Sequence, residues 1–121
     1  MAIEYQITVE DDLLRVIASG RDDSLEEVQS YGMAVVQAAI ENRCSRVVCD
    51  ETNLVYTLGT IDTFKYGAFI ATKAPRLARV ALVINPDQSK DAAFWETVVI
   101  NRGLQVQIFD DAQAAEAWVR E

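Results

Sequence analysis

Histidine is absent from this chain of 121 residues, and with it the side chain whose ordinary pKa best suits proton transfer near neutral pH. Glycine is scarce, at five residues, and none of them builds a phosphate-cradling loop ahead of a helix. The two cysteines, Cys44 and Cys49, have no histidine or further cysteine to complete the four-ligand set of a structural zinc site. They read as unpaired thiols of a reducing compartment, Cys49 buried in an apolar run and Cys44 exposed, with Arg43 and Arg46 close enough to depress its pKa. Positive charge is also short: 11 basic residues face 19 acidic ones, a net charge of −8. Such a field repels nucleic-acid phosphates and anionic lipid, so no nucleic-acid partner is expected. Long apolar runs are missing too. The longest, Val80 to Ile84, falls far short of the ~20 residues of a membrane helix. Met1-Ala2-Ile3-Glu4-Tyr5 lacks a basic region leading into an apolar one. The expectation is a cytoplasmic protein without integral membrane association.

Half of the residues are apolar, enough for one core in a chain this short, and a single domain over residues 1–121 is expected. Tyr5, Ile7 and Val9 alternate with polar residues, as Leu14, Val16 and Ala18 do, and Glu10-Asp11-Asp12 supplies a turn between two strands. Ser24-Leu25-Glu26-Glu27 matches a capping box that opens an amphipathic helix with Leu25, Val28, Gly32, Val35, Val36, Ala39 and Ile40 on one stripe. Strand and helix then alternate. Arg46 to Asp50 reads as a strand, Thr60 to about Lys73 as a helix, Leu77 to Ile84 as a strand and Ser89 to Arg102 as a helix stopped by Gly103. Leu104, Val106 and Ile108 form a last strand, and Asp110 or Asp111 caps a helix bearing Ala114, Ala117 and Trp118. Pro75 and Pro86 sit between elements. The order β-β-α-β-α-β-α-β-α predicts an α/β domain: a mixed, mostly parallel sheet with an N-terminal antiparallel hairpin, packed against helices.

Polar, hydroxyl-bearing and turn-forming residues concentrate between Arg46 and Thr63. A loop leaving the carboxyl end of a buried strand is where α/β domains usually engage ligands and partners. Asp50, Thr52, Asn53, Tyr56, Thr57, Gly59 and Thr60 are therefore the candidate recognition loop. Thr60 itself reads as a helix N-cap. Catalytic alternatives are thin. Asp50 and Glu51, with Asp62, suggest a divalent-metal cluster, but adjacent strand residues point to opposite sides, and the pair reads as a solvated strand end. Asp22-Asp23 and Asp110-Asp111 read as turn and helix-start acids. Cys49 has no base to activate it. No catalytic, metal or cofactor-binding residue is expected, and no cofactor.

The hairpin start, the long helix after it, the strand ending in Val48-Cys49-Asp50, the stretch Glu96-Thr97-Val98-Val99-Ile100-Asn101-Arg102-Gly103 and the close Phe109-Asp110-Asp111-Ala112-Gln113-Ala114-Ala115-Glu116-Ala117-Trp118 together resemble the STAS domains. These are the SpoIIAA-like anti-sigma-factor antagonists of bacterial signalling, and the closer likeness is to their divergent branch grouped with lipid-binding Sec14-type domains. The resemblance spans nearly the whole chain. It implies a single STAS-like domain, a non-catalytic regulatory role, and a protein partner or a second copy of the chain. In better-known members an Asp-Ser-Ser-Gly or Asp-Thr-Ser-Gly loop carries a phosphorylated hydroxyl at the start of the following helix. Here the matching stretch is Tyr56-Thr57-Leu58-Gly59-Thr60, which lacks the serine and the preceding acid, so Thr57 and Thr60 are the hydroxyls that could take its place.

The aromatic residues carry a second reading. Phe64, Ala68 and Ala71 fall on one inward stripe of their helix, which leaves Tyr66, and with it Phe69 or Phe94, toward the surface. Either these are core packing plus scattered exposed rings, or Phe64, Tyr66, Phe69 and Phe94 form an apolar surface for a partner or for a lipid or small apolar ligand.

Overall fold

A computed structural model describes residues 3–74, 77 and 79–121. The expected order is present: β1 (Glu4–Glu10), β2 (Leu13–Arg21), α1 (Leu25–Glu41), β3 (Arg46–Val55), α2 (Thr60–Lys73), β4 (Arg79–Val83), a 3₁₀ turn (Pro86–Gln88), α3 (Ser89–Ile100), β5 (Val106–Phe109) and α4 (Ala112–Arg120). The sheet order is β1-β2-β3-β4-β5, with β1 antiparallel to β2 and every other pair parallel. Pro86 opens the 3₁₀ turn instead of lying between elements, while Pro75 and the first two residues lie outside the described residues.

Two cores flank the sheet. On one face Leu14, Val16, Val47, Cys49 and Leu82 meet Val28, Val35 and Ala39 of α1, Ile70 of α2 and Val99 of α3. On the other, Leu13, Val48, Ala81 and Val83 meet Ala115 and Val119 of α4. Strand alternation explains the division, because neighbouring residues of β3 and β4 are buried on opposite sides. Arg15 of β2 and Glu116 of α4 bond side chain to side chain across this second face, with Glu10 on the same guanidinium at 2.7 Å. This pairing holds the carboxyls of Glu10 and Glu116 below their ordinary range.

The caps are local and legible. The Ser24 hydroxyl accepts from the Glu27 backbone N–H at 3.2 Å, and Asp111 accepts from Gln113 N–H at 3.1 Å. Gly103 stands at φ 95°, where a side chain would be strained. The stripe on α1 is turned slightly from the expected one. Tyr31 joins the buried set, whereas Ile40 is exposed in the last turn.

Three helices share one face because two glycines let them approach. A Cβ on Gly32 of α1 would lie 2.6 Å from Ile70 Cδ1 and 2.7 Å from the Tyr66 hydroxyl oxygen of α2, and one on Gly67 of α2 would lie 2.8 Å from Val98 Cγ1 of α3. Gly32→Ala gains about 1 kcal/mol of helix propensity, yet the methyl must displace a ring stacked on Trp95 and overpack the contact. Overpacking costs roughly 1–3 kcal/mol. A net loss of stability is expected in urea denaturation, in contrast to the gain that propensity alone would give.

Candidate functional site

β3 does not end at Asp50, as its polar sequence suggests, but runs on to Val55. It does so through a bulge: Ile17 pairs with Asp50 and Ser19 with Asn53, so two residues of β3, Glu51 and Thr52, face one residue of β2. Asp50 holds the bulge locally. Its Oδ1 accepts from the Thr52 backbone N–H at 3.1 Å and from the Thr52 hydroxyl at 2.6 Å. The extra residue changes the parity of the strand. Val47, Cys49 and Glu51 point toward α1, and after the bulge Leu54 does so again.

Glu51 is thereby buried, at 8% exposure, which corrects its reading as a solvated strand end. Its Oε2 accepts from the Tyr31 hydroxyl of α1 at 2.7 Å and its Oε1 from the Tyr56 hydroxyl at 2.6 Å. Burial pushes its carboxyl pKa up, against the two tyrosine donors that favour the charged form. Burial likewise raises both tyrosines and the neighbouring Cys49 thiol, each further disfavoured from ionising by Glu51. Cys44 is buried as well, and desolvation raises its pKa. The expected exposure and depressed pKa are both corrected.

A second buried carboxylate organises the loop that follows. Asp22, at the end of β2 and 6% exposed, accepts at Oδ1 from the backbone N–H groups of Thr57 and Leu58, the latter at 3.3 Å. The Thr57 hydroxyl donates to the Asp22 carbonyl at 3.2 Å and lies 3.2 Å from Asp23 Oδ1. On the opposite side the Gln88 side-chain oxygen accepts from Tyr56 N–H at 2.6 Å. Burial raises the Asp22 pKa while the loop N–H groups oppose the shift. Asp22 is thus more than a turn acid: it ties the end of β2 to the loop that leads into α2.

The recognition-loop candidates therefore divide. Asp50 and Thr52 serve the bulge, Asn53 is exposed, and Tyr56 turns inward to Glu51. Thr57 is bonded to Asp22. Gly59 is the N-cap of α2, its carbonyl accepting from Thr63 N–H at 2.9 Å. Thr60 is the first helical residue and not the cap, which corrects that expectation. The four aromatic candidates do not share a face. Phe64 is exposed beneath Arg102, Phe94 is exposed on α3, Phe69 packs on the core beneath Lys73, and Tyr66 turns inward against Trp95, with ring centroids 6.0 Å apart. The inward assignment of Phe64 and the outward one of Tyr66 are both reversed.

Between the sheet and α1, α2 and α3 lies a cavity of about 90 Å³, lined by apolar side chains together with Asp22, Tyr31, Cys49, Glu51, Tyr56, Thr63, Tyr66, Asp91 and Trp95. Sequence reasoning missed this site. Its one available signal was parity, because Glu51 follows Val47 and Cys49 at a spacing of two in any strand that continues. Among the described residues no group of three or more Cys, Asp or Glu side chains is placed to hold a metal ion, and no helix is long and apolar enough to cross a membrane.

These features define an α/β domain of the SpoIIAA-like fold. An anti-sigma factor antagonist from Mycobacterium paratuberculosis superposes with a TM-score of 0.70 at 16% identity, over 99% of this chain and 96% of that one. An uncharacterised protein of the DUF3478 family from Shewanella loihica, itself described as SpoIIAA-like, superposes with a TM-score of 0.56 at 21% identity, over 98% and 94%. No family model and no curated protein matches the sequence. The STAS-like fold that the resemblance implied is thus present.

Proposed function

We propose that this chain is a single, non-catalytic regulatory domain that acts as anti-sigma-factor antagonists do, by binding a protein partner through the segment Asp50 to Thr60, which comprises the end of β3 and the loop after it, together with the first turn of α2. The observation that carries the reading is the pairing of a pinned loop with exposed apolar side chains beside it. Val55, Ile61 and Phe64 are exposed, Ile61 at 72% and Phe64 at 44%, next to Asn53, Thr57, Gly59 and Thr60 on the surface. Apolar anchors on a preorganised backbone lose little ordering entropy on binding. A soluble anti-sigma factor encoded beside the gene is the partner to test, with self-association as the alternative. Isothermal calorimetry should give a complex that Ile61→Asp weakens at least about a hundredfold, the scale of losing a central hot spot. No heat with any neighbouring anti-sigma factor, together with a monomer in sedimentation, would sink the reading.

Within this reading Thr60 is the better phospho-acceptor. It is exposed at the N-terminus of a helix whose cap is a glycine, where a phosphate gains from the helix dipole. A phosphate on Thr57 would meet the carboxylates of Asp22 and Asp23. The lipid alternative finds less support, because the cavity of about 90 Å³ is smaller than the roughly 150 Å³ that encloses one benzene.

A further inference from the structure

Glu51 and Asp22 are the two buried charged residues among those described, and neither is in an ion pair. Buried carboxylates are ordinarily paired or well bonded. Asp22 is supplied with two backbone N–H donors. Glu51 has only two tyrosine hydroxyls, which leaves a lone pair on each oxygen. Among the described residues the cavity beside it has no lysine or arginine in its lining but has three acids, Asp22, Glu51 and Asp91, and four aromatic rings, Tyr31, Tyr56, Tyr66 and Trp95. Aromatic faces around a carboxylate are the chemistry that holds an organic ammonium ion. One further group is unsatisfied: the Trp95 indole N–H is buried without a hydrogen-bond partner, a state that usually costs free energy unless an acceptor arrives.

We infer that the cavity is a binding site for a compact organic ammonium ion carrying one neutral oxygen acceptor, its cation held by Glu51 among the tyrosine rings and its oxygen taken by the Trp95 N–H. The lining disfavours anions by charge and long acyl chains by volume. An inorganic cation has no third ligand there, since no group of three or more acids and thiols converges among the described residues. The inference stands apart from the partner-binding reading, because it concerns the inner end of Tyr56 and not the exposed side of the loop.

Ethanolamine is the probe, with 1-propanol as its uncharged isostere and propylamine as the cation lacking the oxygen. The two indole N–H signals in a ¹⁵N–¹H spectrum of the full chain give an internally controlled readout, because Trp118 packs on Phe109 across the sheet. Ethanolamine should shift the Trp95 signal saturably and leave that of Trp118 in place, and 1-propanol should bind at least about tenfold more weakly, one decade in Kd. Glu51→Gln, which keeps an acceptor and a donor for the two tyrosines, should weaken ethanolamine by a similar factor. Trp95→Phe, which keeps an aromatic ring and removes the N–H, is followed by the backbone amide signals of the cavity-lining Gly32 and Leu54, and should bring ethanolamine down to the affinity of propylamine. The second variant serves as the test if the first fails to fold. The inference is overturned by equal affinity for ethanolamine and 1-propanol, by a Glu51→Gln protein that binds ethanolamine undiminished, by a Trp95→Phe protein that still prefers ethanolamine to propylamine, or by an unmoved Trp95 signal at about 0.1 M, well above the weak affinities expected of a ligand this small.

Discussion

Asp22→Ala is expected to lower stability by about 3 kcal/mol and the melting temperature by about 10 °C. The substitution removes one small side chain, and the loss does not come from its volume. It leaves the N–H groups of Thr57 and Leu58 without their acceptor, and an unsatisfied buried donor costs about 1–3 kcal/mol. The effect should be local before it is global. Amide exchange at Thr57 and Leu58 should quicken in the native state far more than at Val47 or Leu82 in the sheet interior. Asp22→Asn separates charge from geometry: its amide oxygen can still accept, so a milder loss is expected. Equal losses in the two variants would mean that the negative charge, and not the acceptor, holds the loop. An Asp22→Ala protein as stable as the wild type would refute the account of the loop altogether.

The second large effect is expected at Glu51. Glu51→Ala strips the acceptor from two tyrosine hydroxyls and enlarges a cavity that already exists, for a loss of about 2–5 kcal/mol. Glu51→Gln should behave differently, and its signature is in the pH dependence. The folded-state pKa of Glu51 is raised above the ordinary 4.5 by burial, so the folded protein binds more protons than the unfolded chain between those two values. Stability then falls as pH rises through that window and levels off above the folded-state pKa. Asp22, also raised by burial from 3.8, tilts the curve the same way. Glu10 and Glu116, lowered by Arg15, tilt it the other way: their contribution is present above 4.5 and lost as pH falls. Subtracting the Glu51→Gln curve from that of the wild type isolates Glu51. The difference should grow against the wild type from pH 4.5 upward. A flat difference curve would mean that Glu51 titrates as an ordinary solvent-facing carboxylate.

Element order was legible because alternation with a period of two and stripes with a period of 3.6 recur in turn along the chain, and because caps such as Ser24 and Asp111 are local chemistry. What the sequence concealed arises from distance. Glu51 takes its donors from Tyr31 and Tyr56, which no local pattern associates with it, and a run of Asp50, Glu51, Thr52 and Asn53 looks like the end of a strand. A bulge with its own side-chain support carries the strand through that run. Tyr66 misled for a related reason. It was expected toward the surface, yet it buries its ring at the α1–α2 contact opened by Gly32. Phe64 and Ile40 misled in the opposite sense, since apolar character does not by itself decide which flank of a stripe faces the sheet. The loop was expected directly after Asp50, whereas β3 runs on to Val55, and the loop that follows is anchored by Asp22, just past the end of β2.

The bonds from Asp22 to Thr57 and Leu58 join residues 35 and 36 apart in the chain, and that separation has a kinetic meaning. The two ends meet only after β2 has paired with β3, which in a parallel arrangement requires the whole crossover through α1. We expect contacts of this kind to close after the folding transition state, so a urea chevron of Asp22→Ala should show faster unfolding and a nearly unchanged folding rate. Their stabilisation therefore appears mainly as slower unfolding, not as faster folding. On that expectation the carboxylate of Asp22 is a latch, one that hardly hastens assembly and lengthens the lifetime of the assembled state.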